Sequence, residues 1–214
     1  MTAIFKILRL TFIAVLAMNV VAVVSAHAQT GTYTADEYPA TITGEQVGTD
    51  VWTTNAGTIS CTHVTYHGEL SGPSASLQLT PTYTGCKAFG LFNATIDLNG
   101  CKYETHAATT EATHKYNSTV DLNCDPSKRL TVTTSVCRLT YPQQQGFGVE
   151  TSTKTTGPGT FHRKDVAPTS MFYTVDPPCA TASEGEYSNG SFTGESTLSA
   201  TNEVEETIGI SITD

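Results

Sequence analysis

Charge is what this 214-residue chain has least of: Asp, Glu, Lys and Arg make up only 14% of it, against about 25% in ordinary soluble domains. With 11 Lys and Arg in all, and no basic stretch among them, the chain has nothing to neutralise a phosphate backbone, which argues against nucleic acid as a partner. Charge this sparse also excludes a coiled coil, while hydrophobic residues at 38% are too evenly spread for a wholly disordered chain. Helical spacing with caps is missing over any window of ten or more residues. Catalytic signatures are missing too. There is no Gly-x-Ser-x-Gly elbow, no His-Glu-x-x-His, no phosphate-gripping glycine loop and no EF-hand pattern. No two cysteines stand as Cys-x-x-Cys, so a zinc site of that kind is excluded. By motif, therefore, no catalytic residue, cofactor or metal ligand set is assigned.

What the chain does have is threonine, at 39 positions. Threonine is β-branched and suits a pleated surface, and its hydroxyl keeps that surface wet without charge. Alternation of apolar and polar residues recurs: Leu77, Leu79 and Pro81; Ala94, Ile96 and Leu98; Val120 and Leu122; Leu130, Val132 and Val136; Ile208, Ile210 and Ile212. Each is the period-two pattern of a strand with one buried face. Asn55-Ala56-Gly57 reads as a hairpin loop between strands around Val51–Thr54 and Thr58–Tyr66. Ser71-Gly72-Pro73, Asp125-Pro126-Ser127, Gly157-Pro158-Gly159 and Asp176-Pro177-Pro178 are further breaks. The pattern predicts an all-β fold: an antiparallel sandwich or barrel-like domain of about nine to twelve strands.

The only long apolar run is at the start. Lys6 and Arg9 precede Leu10–Val24, and Ser25-Ala26-His27-Ala28 gives small residues where a signal peptidase reads. Residues 1–28 are predicted to be a cleaved signal peptide, the run being shorter than the roughly 20 residues a membrane span needs. Residues 29–214 are then one all-β domain, with a division near Tyr141–Gly146 as the alternative. Loss of Lys6 and Arg9 leaves 9 basic residues against 20 acidic ones, a net charge of −11. No membrane span is expected in the mature part.

Cys61, Cys86, Cys101, Cys124, Cys137 and Cys179 all follow the export signal, so three disulfides are expected in an oxidising compartment. Six cysteines allow 15 pairings, and sequence does not choose among them. The pairing favoured is Cys61–Cys86 and Cys124–Cys137 as local closures, with Cys101–Cys179 tying the late segment to the middle.

An internal echo joins Asn93–Cys101 to Asn117–Cys124, differing in length only by Gly100. Paired as one hairpin turning within Ala107–Thr113, the copies would set Asp97 beside Asp121, where like charges repel unless a cation intervenes. Oxygen ligands from Asp97, Asn99, Asp121 and Asn123 would suit calcium. Other candidates are nominal. Glu69, Glu104 and Asp97 are possible members of a glycosidase carboxylate pair. His63 and His67 share a strand face but are about 13 Å apart, too far to hold one zinc; His106, His114 and His162 complete the mature set. Trp52 is read as a core anchor before a sugar-stacking platform. Asn93, Asn117 and Asn189 begin Asn-x-Ser/Thr sequons.

Several stretches carry a resemblance: Gly31-Thr32-Tyr33-Thr34-Ala35 with Tyr38-Pro39-Ala40; Asn55-Ala56-Gly57-Thr58-Ile59-Ser60-Cys61; Pro81-Thr82-Tyr83-Thr84-Gly85-Cys86; Asn99-Gly100-Cys101-Lys102-Tyr103; and Val136-Cys137 before Tyr141-Pro142-Gln143. In these the chain resembles a group of exported, threonine-rich, disulfide-containing bacterial β-proteins. The resemblance implies a disulfide-bonded sandwich or barrel outside the cytoplasm and implies no activity. Three functions are left in play: a secreted non-enzymatic β-module binding an extracellular polymer or protein, a secreted hydrolase using paired carboxylates, and a calcium-stabilised surface module.

Overall fold

A computed structural model describes residues 31–112, 115–154, 160–179 and 181–213. The predicted signal peptide, the Gly157-Pro158-Gly159 break and His114 lie outside these residues, as does the side chain of His162. The described residues form seventeen strands. Twelve of them have five residues or more: β2 (Ala40–Gln46), β3 (Asp50–Thr54), β4 (Gly57–Cys61), β5 (His63–Leu70), β6 (Ser76–Thr84), β8 (Phe92–Asp97), β9 (Lys102–Ala112), β10 (Lys115–Asn123), β11 (Leu130–Thr134), β13 (Gln144–Lys154), β14 (Thr160–Asp176) and β15 (Gly185–Thr201). Five are shorter: β1 (Thr32–Ala35), β7 (Lys87–Ala88), β12 (Arg138–Tyr141), β16 (Thr207–Ile208) and β17 (Ile210–Thr213).

All named pairings are antiparallel. Eight strands close a barrel in the order β15, β2, β5, β6, β9, β10, β13, β14 and back to β15. A second run of pairings leaves β14 through β12, β11, β8, β7, β4 and β3 and also returns to β15. The two circuits share β14 and β15, each 17 residues long. Register shifts between Ala167 and Met171, and between Met171 and Tyr173, divide the β14–β15 ladder. The half with Thr160–Ala167 serves the barrel and the half with Met171–Val175 serves the second circuit. A bulge bends a strand and increases its twist, which is what such a division needs. Closure also pairs strand edges that would otherwise template aggregation.

Sequence alternation became buried and exposed faces as expected for Leu77 and Leu79, Val120 and Leu122, and Ile208, Ile210 and Ile212. Pro81 is instructive. It faces Tyr66 on β5, but the β6–β9 ladder runs only from Ser76 to Leu79. A residue without an N–H ends pairing on its donor side. Val136 departs from the expected face: β11 stops at Thr134, whose hydroxyl accepts hydrogen bonds from the backbone N–H of Val136 and Cys137, and the turn leaves Val136 exposed.

The core is aromatic where the two circuits meet. Trp52, wholly buried on β3, lies 5.0 Å from Tyr141, 5.2 Å from Phe192, 5.9 Å from Phe147 and 6.4 Å from Tyr83, by ring centroids. Edge-on and tilted contacts of this kind suit the ring quadrupoles. Tyr173 continues the stack from Tyr141, and Tyr187 stacks on Tyr173. Trp52 is thus the core anchor and not a surface platform.

The disulfides correct the favoured pairing. Cys61 bonds Cys86 as expected, but Cys101 bonds Cys124 and Cys137 bonds Cys179, in place of the expected Cys101–Cys179 and Cys124–Cys137. Strand register is the reason. Lys102 faces Asn123 on the β9–β10 ladder, so the next step outward sets Cys101 opposite Cys124, with Cα atoms 4.1 Å apart. Ser60 faces Lys87 in the same manner, which opposes Cys61 to Cys86 at 4.0 Å. Arg138 pairs with Asp176, bringing Cys137 near the segment after β14 that carries Cys179.

Candidate functional site

The outer face of the barrel is built by the alternation that fills its core. Along β2, β5, β6 and β15 the residues between the buried ones point outward, and antiparallel register lines them up in rows. One row is Ser199, Thr43, His67 and Thr80; the next is Thr197, Glu45, Thr65 and Thr82. Rows lie about 6.7 Å apart along a strand and strands about 4.8 Å apart. Thr43 and Ser199 share a hydroxyl–hydroxyl hydrogen bond of 3.1 Å. Between these rows runs a groove of about 460 Å³, lined by Thr43, Gly44, Glu45, Thr65, Tyr66, His67, Thr197 and Ser199. The exposed residues of β2, β5 and β6 are thus Thr, Glu, Gln and His, where a membrane barrel carries an apolar band. Among the described residues no helix is long and apolar enough to cross a membrane.

The same face continues onto β9 and β10, where charge collects. Gln78 faces Glu104, and Glu104 faces Asp121. Each carboxylate is held by donors. Glu104 accepts from Ser76 Oγ at 2.9 Å and Asn123 Nδ2 at 2.8 Å. Asp121 meets His106 Nε2 at 3.1 Å and accepts the Gly146 backbone N–H at 2.7 Å. Partial burial pushes the Glu104 carboxyl upward, but hydrogen bonds from Ser76 and Asn123 and the nearby His106 outweigh it and hold the group below its ordinary value. Gln143, Gln144 and Gln145 close a groove of about 180 Å³ over this network. Gln144 is fixed by donating to the carbonyls of Pro142 and Phe172 and accepting from the Phe172 N–H.

The nominal candidates therefore separate. Glu69 lies exposed on β5, beside a third groove of about 380 Å³ with Ser71–Ser74. Asp97 ends β8, facing Thr131 on β11, and its carboxylate accepts the Asn99 N–H in a local turn. Asp121 faces Glu104 on β10, so the expected Asp97–Asp121 pair does not form. The echo copies are not a hairpin: the first joins β7 and β11, the second joins β9 and β13. Asn99 is engaged with Arg129 and Thr131, and Asn123 with Glu104. A calcium site from these four residues is thereby withdrawn, and among the described residues no group of three or more His, Cys, Asp or Glu is arranged to hold a metal ion. His63 and His67 both lie exposed on β5. Asn189 donates to Asn55 Oδ1, and Asn93 accepts from Lys87. What sequence reading missed is the meeting of His106 with Asp121 and of Ser76 with Glu104. Alternation placed Asp121 on an outward face, but no local signal aligned it with His106, or Ser76 with Glu104.

A second polar group is interior. Asp50, wholly buried, accepts from the Tyr66 hydroxyl at 3.2 Å, and its carboxylate packs where Gly194 has no Cβ; a Cβ there would stand 2.6 Å from Oδ1. The Tyr83 and Tyr103 hydroxyls are 2.7 Å apart, and burial, reinforced by Tyr103, Tyr66 and Asp50, pushes the Tyr83 phenol well above its ordinary value. Glu150, Ser152, Ser118, Thr105 and Ser196 are also buried, and Ser152 Oγ donates to Glu150. Comparison of the chain with family models, with curated proteins and with solved structures finds no match.

Proposed function

We propose that this protein is a non-catalytic β-module that acts outside the cytoplasm, secreted or periplasmic, by binding a hydroxyl-rich polymer along the outer face of β15, β2, β5 and β6. The observation that carries the reading is the pair of rows Ser199–Thr43–His67 and Thr197–Glu45–Thr65 lining one open groove, continued on β6 by Thr80 and Thr82. Repeated hydroxyl, carboxylate and imidazole groups at strand spacing offer donors and acceptors to a chain that itself repeats. Affinity from such a face comes from many modest hydrogen bonds, each worth about 0.5–1.5 kcal/mol net. Three disulfides and few surface charges fit a compartment that is oxidising and variable in salt. Kinship with the exported threonine-rich bacterial proteins belongs to the same proposal and rests on the motifs quoted above.

The test is a glycan array and insoluble-polysaccharide pull-down with the purified, oxidised protein, alongside the variant Glu45→Ala/His67→Ala. Both side chains are exposed, so the variant keeps its fold. Binding that the variant loses supports the reading, and uniform failure to bind removes it.

A hydrolytic reading has one observation in its favour: Glu104 and Asp121 face each other within one groove. Against it, the carboxyl that a glycosidase uses as general acid needs a raised pKa, and that of Glu104 is lowered by its donors. Release of reducing ends from a polysaccharide panel, abolished in Glu104→Gln, would reverse the preference.

A further inference from the structure

On the inner face of the barrel, Ser196 of β15 stands directly opposite Gln46 of β2. Ser196 is wholly buried, and its Oγ has no hydrogen-bond partner among the described residues. Gln46 Nε2 donates to the Cys61 carbonyl at 2.9 Å, which fixes the amide, yet its Oε1 is enclosed and also without a partner among the described residues. Two orphaned groups, one able to donate and one able to accept, thus face each other across one rung and do not bond. Left dry, each such group is destabilising, because the loss of its hydration is not repaid. Directly opposed residues have Cβ atoms about 4.5–5.5 Å apart, and with the amide held toward Cys61 the two groups do not bond each other directly. The surroundings are polar: Gly194, two residues along the same face of β15, is the seat of the Asp50 carboxylate. Polar walls and unsatisfied partners are the conditions under which an interior site is filled by water and not left empty.

We infer that the barrel binds one ordered water between Ser196 and Gln46, accepting the Ser196 hydroxyl proton and donating to Gln46 Oε1. It is a specific internal site at the β2–β15 rung, and it joins two strands that the chain connects only through most of its length.

The test is water-selective NOE and ROE spectroscopy on the ¹⁵N-labelled, oxidised protein, read at the Gln46 side-chain amide protons. The expected result is a direct water cross-peak with the sign of a long-lived water, lost in Ser196→Ala. Absence of that cross-peak in the unmodified protein overturns the inference, whether or not the variant folds. Melting supplies the second readout. Removing one partner of a bridging water lowers the melting temperature, whereas removing a dry, unbonded hydroxyl raises it. A higher melting temperature for Ser196→Ala would overturn the inference as well.

Discussion

The Cys101–Cys124 bond offers the sharpest test of the fold, because register alone accounts for it. Its perturbation is the double variant Cys101→Ala/Cys124→Ala, which leaves no unpaired thiol. The bond closes a segment with a sequence separation of 23; a loop of that length removes about 3.4 kcal/mol of freedom from the unfolded chain. Native contacts change little, since the β9–β10 ladder continues beside the bond from Lys102 and Asn123 onward. At about 2–4 °C per kcal/mol for a chain of this size, the melting temperature should fall by roughly 7–14 °C. Guanidinium unfolding followed by the emission of Trp52, the sole and wholly buried tryptophan, reads the loss directly. Non-reducing peptide mapping of the unmodified protein supplies the connectivity. The reasoning fails if the map joins Cys101 to Cys179, or if the double variant loses less than about 1 kcal/mol.

Other consequences follow from the packing and the outer network. Trp52→Ala empties space among four aromatic rings and should cost about 3–5 kcal/mol in chemical denaturation; a cost under half of that would show the ring is not the anchor described. Gly194→Ala drives a Cβ against the Asp50 carboxylate and should destabilise by about 1–3 kcal/mol, measured against Gly72→Ala, where a Cβ meets open space. Glu104, whose folded carboxyl is lowered, contributes stability that is present above the ordinary glutamate value and lost as pH falls through the folded one. Because the group is only partly buried and solvent screens it, the effect is small. Thermal melts from pH 6 down to about 3 should fall less steeply for Glu104→Gln than for the unmodified protein, and identical profiles would contradict the assignment.

How far the sequence reached follows from what is local. Alternation told which residues of β6, β10 and β17 point inward, because side-chain direction along a strand depends only on parity. Composition implied hydroxyl-rich faces, and the chain turns at the expected Asn55-Ala56-Gly57, with Gly57 already paired to Thr54. Threonine content did not reveal which hydroxyls share a groove, since Thr43, Thr65 and Ser199 come from three strands far apart in sequence.

The echo shows where the boundary lies. Asn93–Leu98 and Asn117–Leu122 carry nearly the same residues, yet one pairs with β7 and β11 and the other with β9 and β13. Similar local sequence produced the same pleat and the same buried face in both. Choice of neighbour came from the closure of two circuits on β14 and β15, a property of the whole chain. That choice moved Asp97 away from Asp121, aligned His106 with Asp121, and set Cys101 opposite Cys124. The sequence by itself determined strand, face and the need for covalent staples, because these depend on side-chain period and composition. Tertiary structure decided register, and with it the disulfide map, the outer grooves and the buried Ser196–Gln46 rung, because opposition across a ladder is made between residues that sequence distance does not connect.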